Sequence, residues 1–129
     1  MRLNHLDLHV PDVAATRDFF CACLGFTEIA TRGADGLAIL HDDAGLELVL
    51  SRPIAKFGAA DTPTAGANTY HIGFLQPSRD AVDRLFALIS DYGGETPSPP
   101  ASVRGGWLFY CRAPGHILIE IGWRPERTS

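Results

Sequence analysis

The amino-acid sequence predicts an α+β protein of two βαβββ modules, whose mixed sheets form a curved, barrel-like cup with the helices outside. Three observations predict it. Residues 5–25 can be laid over residues 71–93, short runs of apolar residues alternate with polar ones, and a capping residue followed by a helical stripe comes after the first run of each copy. A period of two marks a half-buried strand and a period near 3.6 an amphipathic helix.

The repeat is specific. A shift of 66 residues puts His5 on His71, and the same shift puts Pro11 on Pro77, Asp12 on Ser78, Phe19 on Leu85 and Phe20 on Phe86. In the first copy Leu6, Leu8 and Val10 lie on one strand face, with His5, Asp7 and His9 on the other. In the second, Tyr70, Ile72 and Phe74 oppose His71 and Gly73. Asp12 and Ser78 are side chains suited to cap the helices that follow, which end at Leu24-Gly25 and at Tyr92-Gly93-Gly94. Val82, Leu85, Phe86 and Ile89 recur at helical spacing.

After each helix the pattern returns to strand. A short run near Thr27 to Thr31 precedes a hairpin of residues 36–40 and 46–50, with its turn at Asp42-Asp43-Ala44-Gly45. In the second copy residues 106–110 and 117–121 flank a turn at Ala113-Pro114-Gly115. The modules span residues 1–51 and 69–124 of a single domain, and the Pro-, Gly-, Ala- and Thr-rich stretch 52–68 links them.

The 129 residues are 46% hydrophobic and 20% charged, which suits a globular domain with a proper core. The net charge of −4 and the lack of any basic run exclude a nucleic-acid partner and disfavour anionic membranes. No apolar stretch reaches the length of a membrane span or a signal-peptide core. Three cysteines, Cys21, Cys23 and Cys111, without CxxC spacing read as buried thiols of a reducing compartment. A cytoplasmic location and a small-molecule substrate are therefore expected.

Four polar residues break the apolar stripes. Glu47 lies opposite Leu46, Leu48 and Leu50, and Glu120 lies opposite Ile117, Ile119 and Ile121. His5 and His71 likewise oppose their own apolar neighbours. If the helices cover the apolar faces, all four project into the cup. Imidazole nitrogen and carboxylate oxygen suit a divalent metal such as Zn, Ni, Co, Mn or Fe, and nothing in the sequence chooses among them. Tyr110, Asp7, His9, Trp107 and Arg104 are candidates to line the cavity, Arg104 as a carboxylate receptor or a solvated cation. His116 reads as an exposed turn residue, and His41 has no assignable role.

The segments LNHLDLHVPD, LGF, YHIGF and FYCRAPGHILIEI resemble the glyoxalase/bleomycin-resistance/dioxygenase superfamily, the vicinal oxygen chelate proteins, over nearly the whole chain. The resemblance implies metal ligands at His5, His71 and Glu120, with Glu47 at the position of the fourth ligand of glyoxalase I. It also implies a homodimer, with sites that combine residues from two chains. The activity implied is that of a metal-dependent, glyoxalase-like lyase or isomerase. There a carboxylate, Glu120 or Glu47, moves a proton next to a metal-bound carbonyl or enediolate. Read from its own place on a half-buried strand, Tyr110 is either a hydrogen-bond donor to substrate or a packing residue.

The chain departs from that pattern in places. His9 stands where glyoxalase I has an arginine for its thiol cofactor, and Ala113-Pro114-Gly115-His116 replaces the usual Asp-Pro-Asp-Gly turn. Tyr110, ten residues before Glu120, and the Glu120-Ile121-Gly122-Trp123 ending resemble extradiol dioxygenases, although Glu47 occupies the place of their catalytic histidine. A fosfomycin-type thiol transferase would use the same three ligands, with Asp7 replacing an expected threonine. A metal-free drug-binding dimer of the bleomycin-resistance kind is the alternative of a different class.

Overall fold

The computed structural model describes residues 1–53 and 70–126, so most of the expected linker lies outside the described residues. The chain divides into two compact units, Met1–Thr64 and Ala65–Ser129, and each has the βαβββ order read from the sequence.

The first unit runs β1 (His5–His9), α1 (Val13–Cys23), β2 (Thr27–Arg32), β3 (Leu37–His41) and β4 (Glu47–Ser51). Its sheet has the order β1-β4-β3-β2, parallel between β1 and β4 and antiparallel elsewhere. The helix begins where expected, because Asp12 Oδ1 accepts the Ala15 N–H at 2.9 Å. It stops at Leu24, and Gly25 follows with φ +71°, a left-handed conformation that glycine adopts without a steric penalty. Val13, Thr16, Phe19, Phe20 and Cys23 form its buried stripe, and the helix packs on β2, β3 and β4. Phe20 meets Phe19 and Phe26 edge-on with ring centroids 5.8 and 5.4 Å away. The buried Thr16 hydroxyl is satisfied by the Asp12 carbonyl at 2.8 Å.

The second unit runs β5 (Ile72–Leu75), α2 (Arg79–Tyr92), β6 (Ala101–Val103), β7 (Gly106–Ala113) and β8 (Ile117–Trp123). Its order, β5-β8-β7-β6, repeats that of the first unit, again with one parallel pair, β5 with β8. Ser78 Oγ accepts the Ala81 N–H at 3.1 Å, and Gly93 closes α2 at φ +94°. The helix packs on β7 and β8 through a narrower buried stripe than α1, with Val82 and Ile89 fully buried.

Two features go beyond the sequence reading. Strand β6 was not separately recognised, being three exposed residues, too short a run to show a period. It joins β7 through a two-residue turn, Arg104-Gly105, with φ +49° and +81°, the left-handed pair that a tight hairpin needs. In addition, β7 extends three residues past Tyr110, to Ala113. Among the described residues no helix is long and apolar enough to cross a membrane.

Candidate functional site

The register of each sheet decides which polar side chains are neighbours. In the first unit Leu6, Leu48 and Leu40 are paired across three strands, as are Leu8, Leu50 and Ala38. All but Leu6 are buried, on the face covered by α1. Alternation then places His5, Asp7 and His9 of β1 on the opposite face, with Glu47 and Ser51 of β4 and His41 of β3. One row across this face reads His5, Glu47, His41, because His5 pairs with Glu47 and Glu47 with His41.

Within that row Glu47 is held by His41, whose Nε2 donates to Glu47 Oε1 at 3.1 Å. Sequence reasoning gave His41 no role, yet a signal for it was present. A hairpin centred on Ala44 must set residue 41 across from residue 47. Asp42 secures that turn, its Oδ1 accepting the N–H groups of Ala44 and Leu46 at 2.9 and 2.8 Å. His5 Nδ1 lies 3.1 Å from Asn4 Oδ1 and donates to it, so Nε2 is the ring nitrogen not engaged by Asn4. Asp7 accepts from the buried Ser51 hydroxyl at 2.7 Å and so serves within the sheet.

In the second unit Phe109, Cys111, Ile117, Ile119 and Ile121 are buried on the face covered by α2. The other face holds Leu108 and Tyr110 of β7 and Glu120 and Gly122 of β8, with Tyr110 paired to Glu120 and Gly73 of β5 on the far side of Glu120. Tyr110 donates its hydroxyl to Glu120 Oε1 at 3.0 Å. His71 stands just before β5, with its Nε2 4.0 Å from the same oxygen and its ring edge-on to Tyr110 at 5.6 Å. Arg124 Nη2 approaches the other carboxylate oxygen, Oε2, at 3.7 Å. The bond to Glu120 and partial burial push the Tyr110 phenol above its ordinary value, and Arg104 partly offsets them, so Tyr110 stays protonated as a donor.

A cavity of about 670 Å³ opens on this face, lined by Tyr110, Glu120 and Arg104 with Leu108, Trp123 and Arg124 among others. Trp107 was expected there and is elsewhere. It alternates with Tyr110 and therefore belongs to the helix-covered face, where its Nε1 donates to Asp83 of α2 at 2.7 Å and its ring lies under the Arg79 guanidinium. His116 takes the exposed left-handed turn position expected of it, φ +61°. The cysteines are free; Cys23 and Cys111 are buried and Cys21 half-buried, and burial raises the Cys21 and Cys23 thiols, which keeps them protonated and unreactive.

The two units place their acidic residues differently along the strands. His5 and His71 occupy repeat-equivalent positions, yet β1 pairs Asp7 with Val49 whereas β5 pairs Gly73 with Glu120. The structural counterpart of Glu120 in the first unit is therefore Val49, and Glu47 sits two residues earlier on the same face.

A family model described as the Glyoxalase/Bleomycin resistance protein/Dioxygenase superfamily matches residues 2–121. Among solved structures, a possible glyoxalase from Bacillus cereus is 31% identical, with 94% of this chain and 97% of that chain covered and a TM-score of 0.75. A glyoxalase/bleomycin resistance protein/dioxygenase from Nocardioides is 21% identical over 100% of this chain and 90% of its own, with a TM-score of 0.80. A glyoxalase-related enzyme from Fulvimarina pelagi shares the fold at 17% identity, covering 97% of this chain and 89% of its own, with a TM-score of 0.81. No curated protein matches the chain.

Proposed function

The chain belongs to the glyoxalase/bleomycin resistance protein/dioxygenase superfamily, and we propose that it is a metal-dependent, glyoxalase-like enzyme that moves a proton next to a carbonyl of a small substrate. The observation that supports this reading is the cluster on the open face of the second sheet. There Glu120 has His71 4.0 Å away and a Tyr110 hydroxyl at 3.0 Å, beside a cavity able to admit a small molecule.

The donor set fits a divalent cation. Each unit carries imidazole and carboxylate groups on the sheet face that its helix leaves uncovered. His5, whose Nδ1 is engaged by Asn4, His71 and Glu120 are the ligands in this reading. When bound, the ion supplies Lewis-acid polarisation of the substrate oxygen.

Glu47 is the proton-moving base. Its displacement by two residues from the counterpart of Glu120 separates it from a symmetric fourth-ligand role, and His41 fixes one of its oxygens while the other is left to meet substrate. Tyr110 orients Glu120 through Oε1 and remains a neutral donor, because its phenol is held above the ordinary value.

Two measurements test this together. Protein purified without added metal and reconstituted with Zn, Ni, Co, Mn or Fe binds about one ion per site, and E120Q and H71A lose it. E47Q keeps the ion but stops the exchange of the substrate's α-hydrogen with solvent deuterium, followed by NMR. Substoichiometric metal that reconstitution does not restore favours the metal-free drug-binding module instead.

A further inference from the structure

The cavity beside Glu120 has a composition that the proton-transfer chemistry does not itself require. Its walls include apolar groups, Val103, Leu108, Trp123 and Pro125, and it carries two arginines, Arg104 and Arg124. Gly122 keeps the space open: it shares the face of Glu120, opposite Leu108, and any side chain there would project into the cavity, with a Cβ already 3.2 Å from Leu108 Cβ.

Arg124 forms an ion pair with Glu120 Oε2 at 3.7 Å, too long for a hydrogen bond, and Arg104 forms no hydrogen bond or ion pair among the described residues. Arg104 also occupies a position where its residue type is unfavourable. At φ +49° it is the first residue of a left-handed two-residue turn, a place that favours Asn, Asp or Gly. A long cation held in that conformation at the rim of a cavity is an outlier that points toward use. The opposing charges in the lining are Glu120 and Glu126. With Glu120 engaged by the metal, as proposed above, the two arginines outnumber Glu126.

We propose that this cavity binds the carboxylate of a small anionic substrate with an apolar body, Arg104 and Arg124 gripping the carboxylate while Leu108 and Val103 cover the body. Guanidinium forks match carboxylate geometry and hold it at a set orientation. As a statement of substrate class this rests on the Glu120-centred reading, and the assignment of the two arginines is separable from it.

The test uses the full chain, metal-restored and chelator-treated, with 3-phenylpropanoate and its uncharged counterpart 3-phenylpropanamide as probes, followed by calorimetry. The carboxylate should bind at least ten-fold more tightly than the amide. R104Q and R124Q should each reduce that preference about five-fold or more without changing metal content or melting temperature, a loss expected of a charge-assisted contact. If the preference persists in chelator-treated protein and still depends on the arginines, the cavity assignment stands even where the metal reading falls. Equal binding of acid and amide, a preference that survives both substitutions, or no binding of either probe overturns the proposal.

Discussion

The two units have the same strand order, the same parallel pair and the same capped helix, but they use their open sheet faces differently. In the first, polar groups are tied to one another: His41 to Glu47 at 3.1 Å and Ser51 to Asp7 at 2.7 Å. In the second, Tyr110 supports Glu120 beside a cavity lined by Arg104 and Arg124. The acidic residue sits two positions earlier in the first unit than in the second, a slide of about 7 Å along a strand at its usual rise per residue. A slide of two keeps the side chain on the same face, so a duplicated backbone can move a functional group along a strand without burying it. The repeat therefore constrains which face carries chemistry and leaves the place along that face free to diverge.

The largest expected break in the symmetry of the units is in their cores. Phe20 is fully buried and packed against two aromatic rings, whereas its repeat counterpart Phe86 is only half-buried and meets Phe109 at 5.3 Å. Phe20→Ala should cost about 3–5 kcal/mol in urea unfolding, as full burial of an aromatic predicts. Phe86→Ala should cost clearly less, and equal losses would remove the asymmetry.

Metal affinity is the next discriminator. Glu120→Gln should weaken divalent-ion binding at least ten-fold, or about 1.4 kcal/mol, while Glu47→Gln should change it by less than about three-fold if Glu47 is a base and not a ligand. Equal effects would restore the symmetric four-ligand set that the resemblance suggests.

The caps are where the units should behave alike. Asp12→Ala and Ser78→Ala each remove one side-chain acceptor from a helix start and should each cost about 1 kcal/mol by thermal or chemical unfolding. A loss confined to one of them would show that only one helix depends on its cap.

The smallest effect is spectroscopic. Tyr110 has its phenol raised above 10.0 chiefly by its hydrogen bond to Glu120, so its phenolate absorbance should appear at higher pH than that of a free tyrosine. Since the folded value is raised, the stability this bond contributes is complete below about pH 10 and is lost as pH rises through the folded value. Glu120→Gln in metal-free protein should bring the titration down toward the ordinary range. An unshifted titration would mean that the bond does not persist in solution.

Much of this was legible in the sequence, residue by residue. Asp12, Ser78 and Gly93 marked helix ends because capping and left-handed termination are local chemistry. His5, Glu47, His71 and Glu120 were placed on the faces opposite their apolar neighbours because alternation belongs to a single strand. The same rule would have put Trp107 with Phe109 on the helix-covered side, so its expected place in the cavity was a misreading of available information. Strand β6 gave no such signal, since three exposed residues have no pattern to read.

The sequence alone thus determined most of the elements, their caps and the faces of His5, Glu47, His71 and Glu120, and its short turns fixed which strands pair antiparallel, while the structure set the partners His41 with Glu47 and Tyr110 with Glu120. Only the tertiary structure decided the parallel registers, Asp7 with Val49 and Gly73 with Glu120, and hence the displacement between the two carboxylates. The physical reason is connectivity. A hairpin's register is set by the few residues of its turn, whereas parallel strands joined through a helix and two further strands settle their register only when the whole sheet packs against that helix.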